Sequence, residues 1–246
     1  MEFTYKWYEQ LIKSAKNKGY LFCDYSNYKQ LDKFIILRHD IDFSIKKAVE
    51  MAKIEKELGI SSTYFILMFT NFYNIGGKEE RYLINEIISL GHNVGLHFDD
   101  TVYCLEKDRR KFNYKKAIKQ EADILSDIIG QQVKFMSMHR PDKITLDMNI
   151  SVDGIINAYD SIFFDDKIKY VSDSRRQWRE DVDEIVTNEK FNKLQVLVHP
   201  FWYYKNEISA SDALKSIIDT SKKDRFIAVK DNITRVEEFL NEKDYI

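Results

Sequence analysis

Apolar runs alternate with stretches of helical period along most of the chain. The first run, "FIIL" at 34–37, leads through "RHDID" into "SIKKAVEMAKIEKELG" (44–59). There Ile45, Val49, Ala52 and Ile54 fall at roughly helical spacing, and Gly59 supplies the stop. "SSTYFILM" (61–68) predicts a second strand, and "EERYLINEIISLG" (79–91) a helix ending at Gly91. "HNVGLHFD" (92–99) predicts a third strand, and "KFNYKKAIKQEADILSDIIG" (111–130) a long helix closing at Gly130. "KFMSMHRP" (134–141) is a fourth strand, "GIINAY" and "KIKYVSD" are weaker ones, and "KLQVLVHP" (193–200) is a clear late one. Such alternation argues for parallel strands joined by helical crossovers. A barrel, closed or nearly so, and a doubly wound open sheet both fit. No Gly-rich phosphate loop follows the first strand, which weakens the dinucleotide-binding version.

The polar residues break this pattern in one recurrent place. The first strand runs out in Arg38-His39-Asp40-Ile41-Asp42, the third in His97-Phe98-Asp99-Asp100, the fourth in His139-Arg140-Pro141 and the late one in His199-Pro200. Four of the five histidines therefore lie at or just beyond the C-terminal end of an apolar strand. In parallel α/β folds those ends share one face, and active sites form there. Side chains two apart on a strand share a face, so Asp40 and Asp42 point the same way with Arg38 behind them. His97 and Asp99 do likewise, whereas His39 faces away and packs. Carboxylates beside imidazoles, with no thiolate, suit a divalent metal with a position left for water. Zinc is the first expectation; nickel, cobalt, manganese and iron fit the same ligand types.

Composition narrows the partners. The 38 basic and 40 acidic residues nearly balance, which gives no support to nucleic-acid or anionic-membrane binding. Two cysteines in unrelated contexts, Cys23 and Cys104, make a disulfide framework an unpromising reading and point to a reducing compartment. The N-terminal stretch is amphipathic and charged, without the apolar core of a signal peptide, and no run approaches a membrane span. A cytoplasmic location is the expectation.

Taken in order, these segments resemble the motifs of the polysaccharide deacetylases of carbohydrate esterase family four, the NodB-homology domain. "RHDID" resembles a first motif with one residue between its two acids, "GHNVGLHFDD" the second, "HRP" the third, "SDSRRQW" the fourth and "LQVLVHP" the fifth. The likeness runs from about residue 34 to 204. It implies an α/β fold, a distorted (β/α) barrel with about seven parallel strands. It implies one catalytic domain over 1–246, with helical extensions at both ends of the motif region. It also implies that Asp40 is the general base, Asp42 and His97 hold the metal, and His199 is the general acid. The motif arginine that braces the base corresponds to Arg140. Asp173 and Trp178 would line the substrate pocket, and Trp202 would offer an aromatic face for a sugar ring. The chain departs from the family at 101, where Thr stands in place of a second histidine. His139 is the first candidate for the missing ligand, and Asp99 or Asp100 the second.

The expected activity is a metal-dependent hydrolysis that removes an N-acyl group, acetyl foremost, from an amino sugar or a sugar-containing precursor, with surface-polysaccharide biosynthesis as a natural setting. The alternative is a non-catalytic carbohydrate-binding or scaffold domain with a degenerate metal site. The expected partner is a carbohydrate substrate, with no nucleic acid and no membrane span; the sequence leaves oligomeric state open.

Overall fold

The first apolar run does not stop where its hydrophobicity stops. In the computed structural model, which describes residues 1–103, 109–164 and 167–245, the strand runs through the polar residues to Ile41. All eight residues of this strand, β2 (Phe34–Ile41), are buried. Before it lies β1 (Leu21–Cys23), too short to leave a periodic signal in the sequence. The remaining strands are β3 (Thr63–Leu67), β4 (Asn93–Phe98), β5 (Phe135–Met138), β6 (Ile156–Asn157), β7 (Lys169–Ser172) and β8 (Lys193–Val198). Seven strands hydrogen-bond in the order β6-β5-β4-β3-β2-β8-β7, and β1 pairs with the first half of β2. Every pair is parallel. The sheet curls into a distorted (β/α) barrel, as the resemblance implied.

The crossovers are helical. They include α2 (Ile45–Glu57), α3 (Lys78–Ser89), α4 (Tyr114–Ile129), the one-turn α5 (Lys143–Asp147) and α6 (Val182–Thr187); α1 (Tyr5–Asn17) precedes the sheet. Side-chain caps start most of them: Thr4 accepts from Trp7 N, Ser44 from Lys47 N and Asn113 from Lys116 N. Helix α1 buries Trp7, Tyr8, Leu11, Ile12 and Ala15, one stripe of an amphipathic helix, and packs against α2 and α6. The chain forms two compact units, Met1–Glu207 and Ile208–Ile246. The second contains helix α7 (Ala210–Asn232), in which Phe226 is buried and stacks on Tyr245 with 5.0 Å between ring centroids.

Strand parity sorts two cores. On the helix-covered side, Ile41, Tyr64, Ile66, Leu96, Phe98 and Met136 join apolar residues of α2, α3 and α4. On the concave side, Phe34, Ile36, Phe65 and Phe135 close the floor with Tyr25 and Phe163. Gly95 belongs to this inner layer. A Cβ there would stand 2.7 Å from the Phe65 ring and 2.8 Å from the Phe135 carbonyl, so the aromatic floor requires glycine at this position. Above the floor, on the same face, lie Arg38, His97 and Ser137, and above those the strand ends. Cys23 is buried; Cys104 lies outside the described residues. Among the described residues, no helix is long and apolar enough to cross a membrane.

Candidate metal centre

Three side chains from three strand ends converge. Asp42 follows β2, His97 lies in β4 and His139 follows β5. His97 Nε2 is 3.0 Å from His139 Nδ1, and Asp42 Oδ1 is 3.4 Å from each of them. Zinc bonds of 2.0–2.2 Å at tetrahedral angles put neighbouring donors about 3.3 Å apart, so the triangle has the size that one ion requires. A second observation supports the fit: Asp42 Oδ1 is buried without a hydrogen-bond partner, a costly position for a carboxylate oxygen with nothing to receive it. Burial opposes the charge on Asp42, but His139 and His97 hold its carboxyl well below the ordinary range.

Of the three residues considered for the remaining ligand, His139 alone stands in this cluster. Asp100 is buried elsewhere, accepting hydrogen bonds from the Tyr114 hydroxyl at 2.7 Å and from Arg109. Asp99 Oδ1 accepts from the Thr101 backbone N–H at 2.9 Å and from its hydroxyl at 2.7 Å. These two carboxylates cap and brace the turn after β4.

Asp40 stands one layer deeper. Arg38 Nη2 donates to its Oδ2 at 2.8 Å, and His97 Nε2 lies 3.7 Å from the same oxygen. Burial opposes the Asp40 charge, yet the Arg38 guanidinium, with His97 and His199 nearby, holds the carboxyl below its usual range. Arg38 stays charged, because Asp40 offsets the cost of its own burial. The third-motif arginine is placed differently from expectation. Arg140 has a side chain 74% exposed and makes its ion pair with Asp99 at 3.9 Å. Its backbone takes φ +49° just before Pro141, which turns the side chain out of the barrel. Bracing Asp40 from Arg140, as the motif implied, is not what the structure shows; Arg38 occupies that position.

His199, just beyond β8, faces the cluster from the other side, with Nε2 4.0 Å from Asp42 Oδ2. Its Nδ1 and its backbone N–H both engage Asp173: the ring contact is 2.6 Å, and the N–H contacts are 3.0 and 3.1 Å. Burial disfavours the imidazolium, but Asp173, with Asp42 and Asp40 beyond it, pushes His199 up to about 9. Asp173 therefore orients His199 and, fully buried, offers no oxygen to a sugar. The two tryptophans expected to line the pocket are also packed away. Trp178 sits 5.9 Å from Trp7 of α1, and Trp202 sits 4.2 Å from Phe201; each is 7% exposed. The aromatic residues that do face the opening are Phe43, Phe69 and Phe72, around a cleft of about 300 Å³ that Asp42 and His139 also line. "FTNF" (69–72) follows the end of β3, so the rule that placed the histidines could have found it.

The chain is similar in fold to CE4-family polysaccharide deacetylases. A CE4-family pseudoenzyme from Bacillus anthracis is 16% identical with a TM-score of 0.42, the match covering 78% of this chain and 62% of that one. A deacetylase of Streptococcus pyogenes, solved with acetate, is 16% identical with a TM-score of 0.40, over 57% of this chain and 66% of that one. A polysaccharide deacetylase from Bacillus cereus is 16% identical with a TM-score of 0.42, over 76% of this chain and 85% of that one. The chain thus spans less than two thirds of the first two structures. No family model matches this sequence, and no curated protein does.

Proposed function

We propose that the chain is a metal-dependent carbohydrate N-deacylase of the polysaccharide deacetylase type, removing an acyl group, acetyl foremost, from the nitrogen of an amino sugar or a sugar-containing precursor. The observation that carries this reading is the triangle of Asp42, His97 and His139 donors, 3.0–3.4 Å apart, flanked by a braced carboxylate and an oriented imidazole. A binding domain has no use for that flanking pair.

Two imidazole nitrogens and one carboxylate oxygen suit zinc best, and Asp42, His97 and His139 would hold it. A divalent ion held there would supply a lowered water pKa and polarisation of the acyl oxygen. The chain supplies the proton transfers. Asp40, kept ionised by Arg38, accepts a proton from the attacking water. His199, aligned by Asp173 through Nδ1, donates a proton from Nε2 to the departing nitrogen. Two acids with different surroundings thus divide the work: Asp42 faces the metal cluster, Asp40 faces a guanidinium. The phenylalanine-lined cleft gives the sugar an apolar wall.

Elemental analysis of the purified protein tests the reading, together with Asp42→Ala and His97→Ala. Near-stoichiometric zinc or a similar ion, lost in both variants, is expected, with release of acetate from acetylated amino sugars. No bound metal after incubation with zinc, nickel, cobalt, manganese and iron would end the hydrolase reading and leave a carbohydrate-binding domain.

A further inference from the structure

Arg38 heads the large, fully buried side chains of this protein, with 0% of its side chain exposed. Burying a guanidinium is costly, and Asp40 supplies the main offset here. Nη2 donates to Asp40 Oδ2 at 2.8 Å and to Ser137 Oγ at 3.1 Å. The cation also lies 4.7 Å from the Tyr159 ring centroid and 5.4 Å from that of Phe65. Nε and Nη1 are buried without a hydrogen-bond partner. A group kept purely for stability would be expected to use its whole fork. This one spends a single nitrogen on two acceptors, and both belong to the candidate site.

Ser137 carries the arrangement further. It lies on β5 directly beside His97 of β4 in the sheet register. Its hydroxyl oxygen is 2.9 Å from His97 Nδ1 and accepts from Arg38 Nη2. The one hydroxyl proton is directed at Asp40 Oδ1 at 3.4 Å, which leaves the His97 Nδ1–H as the donor in the contact with Ser137. This pattern places the His97 ring proton on Nδ1 and leaves the Nε2 lone pair facing Asp42 and His139. The same residues thus set the direction of the base and the tautomer of a metal ligand.

We propose that Arg38 is the positioning residue for Asp40, taking the place that the third-motif arginine holds in the family it resembles, and that Ser137 extends this control to His97. The proposal rests on the metal-dependent hydrolase reading of the site. It follows from strand parity: the arginine lies two residues before the base on the same strand, so it reaches Asp40 from beneath, within the barrel. Arg140, turned outward, has no such path.

The test compares Arg38→Met, Arg38→Lys, Ser137→Ala and Arg140→Ala in the full chain. It measures kcat and KM for an acetylated amino sugar, zinc affinity by competition with a chromophoric chelator, and melting temperature. Arg38→Met is expected to lower kcat about 100-fold, the lower range for loss of an effective general base, with KM within about threefold. Arg38→Lys should recover part of that loss, because the cation returns without the fork. Ser137→Ala should weaken zinc binding about tenfold, as loss of a ligand's outer hydrogen-bond partner does. Arg140→Ala should cost less kcat than Arg38→Met. The proposal is overturned if Arg38→Met keeps kcat within about threefold of the wild type, or if Arg140→Ala proves the more damaging. Should Arg38→Met fail to fold, Arg38→Lys and Ser137→Ala decide: wild-type kcat in the first with wild-type zinc affinity in the second overturns the proposal, and a loss in either supports it. If the wild type hydrolyses no acetylated amino sugar, the proposed function falls separately. Zinc affinity of Ser137→Ala and the Asp40 orientation in a crystal structure of Arg38→Met then judge the arrangement: a change in either supports it, and no change in both overturns it.

Discussion

One strand carries two buried ionisable clusters, back to back. On the concave face of β2, Arg38, Asp40 and Asp42 meet His97, His139 and His199. On the helix-covered face, His39 meets Glu55 of α2, and the two sites share histidines, carboxylates and tyrosines as raw material. They differ in how the acceptors are filled. Glu55 accepts from Ser62 Oγ at 2.5 Å, from the Tyr64 hydroxyl at 2.9 Å and from the Tyr8 hydroxyl of α1, and lies 2.6 Å from His39 Nε2. His92 beside it is committed as well, its Nδ1 receiving the Ser62 N–H at 3.3 Å and its Nε2 facing the Ala52 carbonyl at 2.9 Å. Both Glu55 oxygens are satisfied, and the cluster is closed to solvent. Across the sheet, Asp42 Oδ1 has no hydrogen-bond partner and two ring nitrogens turn toward it, beside an open cleft. Filled carboxylate oxygens on one face, where His39 Nδ1 alone of the His39, Glu55 and His92 side-chain atoms lacks a partner, tie α1, α2, β2 and β3 together; an unfilled carboxylate oxygen with two converging ring nitrogens on the other makes a site.

That contrast is broken or sharpened by exchanging the roles of its carboxylates. The largest effect is expected at Asp40. Asp40→Asn should lower kcat by about 10²–10⁴-fold, the range for a lost general base, and should also lower the melting temperature, because it leaves the buried Arg38 without its counter-charge. A large drop in melting temperature with kcat preserved in the folded fraction would show Asp40 to be a structural ion-pair partner of Arg38.

Glu55 should behave in the opposite sense. Glu55→Ala leaves four donors aimed at nothing and is expected to cost about 3–5 kcal/mol in urea unfolding, the range for breaking a buried charged network, with kcat per folded molecule kept. The network also has a pH signature. Burial raises the Glu55 pKa, but His39, with His92 and Ser62, brings it down to about 2. A carboxylate depressed in the folded state contributes stability above its unfolded value near 4.5, and that contribution is lost as pH falls through about 2. Wild type should therefore lose stability across this acid window more steeply than Glu55→Gln. Parallel acid profiles would refute the assignment of the charge to Glu55.

Much of this contrast was legible in the sequence. Histidines and acids crowding the C-terminal ends of apolar strands marked the rim, and period-two parity separated His39 from Asp40 correctly. What failed depended on partners distant in the chain or on a local backbone turn. The 44–59 helix shows Ile54 as apolar and Glu55 as charged, yet Ile54 is half-buried and Glu55 fully buried. Only the arrival of Tyr8, His39 and Ser62 makes that burial tolerable, and no local window contains them. Trp178 reads as a rim aromatic until α1 brings Trp7 against it. Arg140 was misdirected for a backbone reason, since a motif specifies residue types in order but not the positive φ that turns one of them outward. Asp173, expected to line the pocket, instead turns its two oxygens to His199, 26 residues on.

Another buried carboxylate shows the opposite shift. Glu121 of α4 is 2% exposed; among the described residues its Oε1 has no hydrogen-bond partner, and no arginine or histidine is among the groups shifting it. Burial dominates, a hydrogen bond from Tyr103 opposes it and Asp99 adds repulsion, so its pKa rises to about 7. The sign is the reverse of that at Glu55. A carboxyl raised in the folded state is least harmful below its unfolded value near 4.5, and stability is lost as pH rises through about 7. Glu121→Gln keeps the shape and removes the titration. It should therefore match the wild type at pH 5 and exceed it at pH 8 by about 1–2 kcal/mol, less than the shift alone converts to because buried sites relax and admit water. Urea unfolding at the two pH values measures the difference directly. An equal gap at both would mean that Glu121 does not ionise in this range, and that neutral hydrogen bonding alone makes a buried carboxyl tolerable at this position.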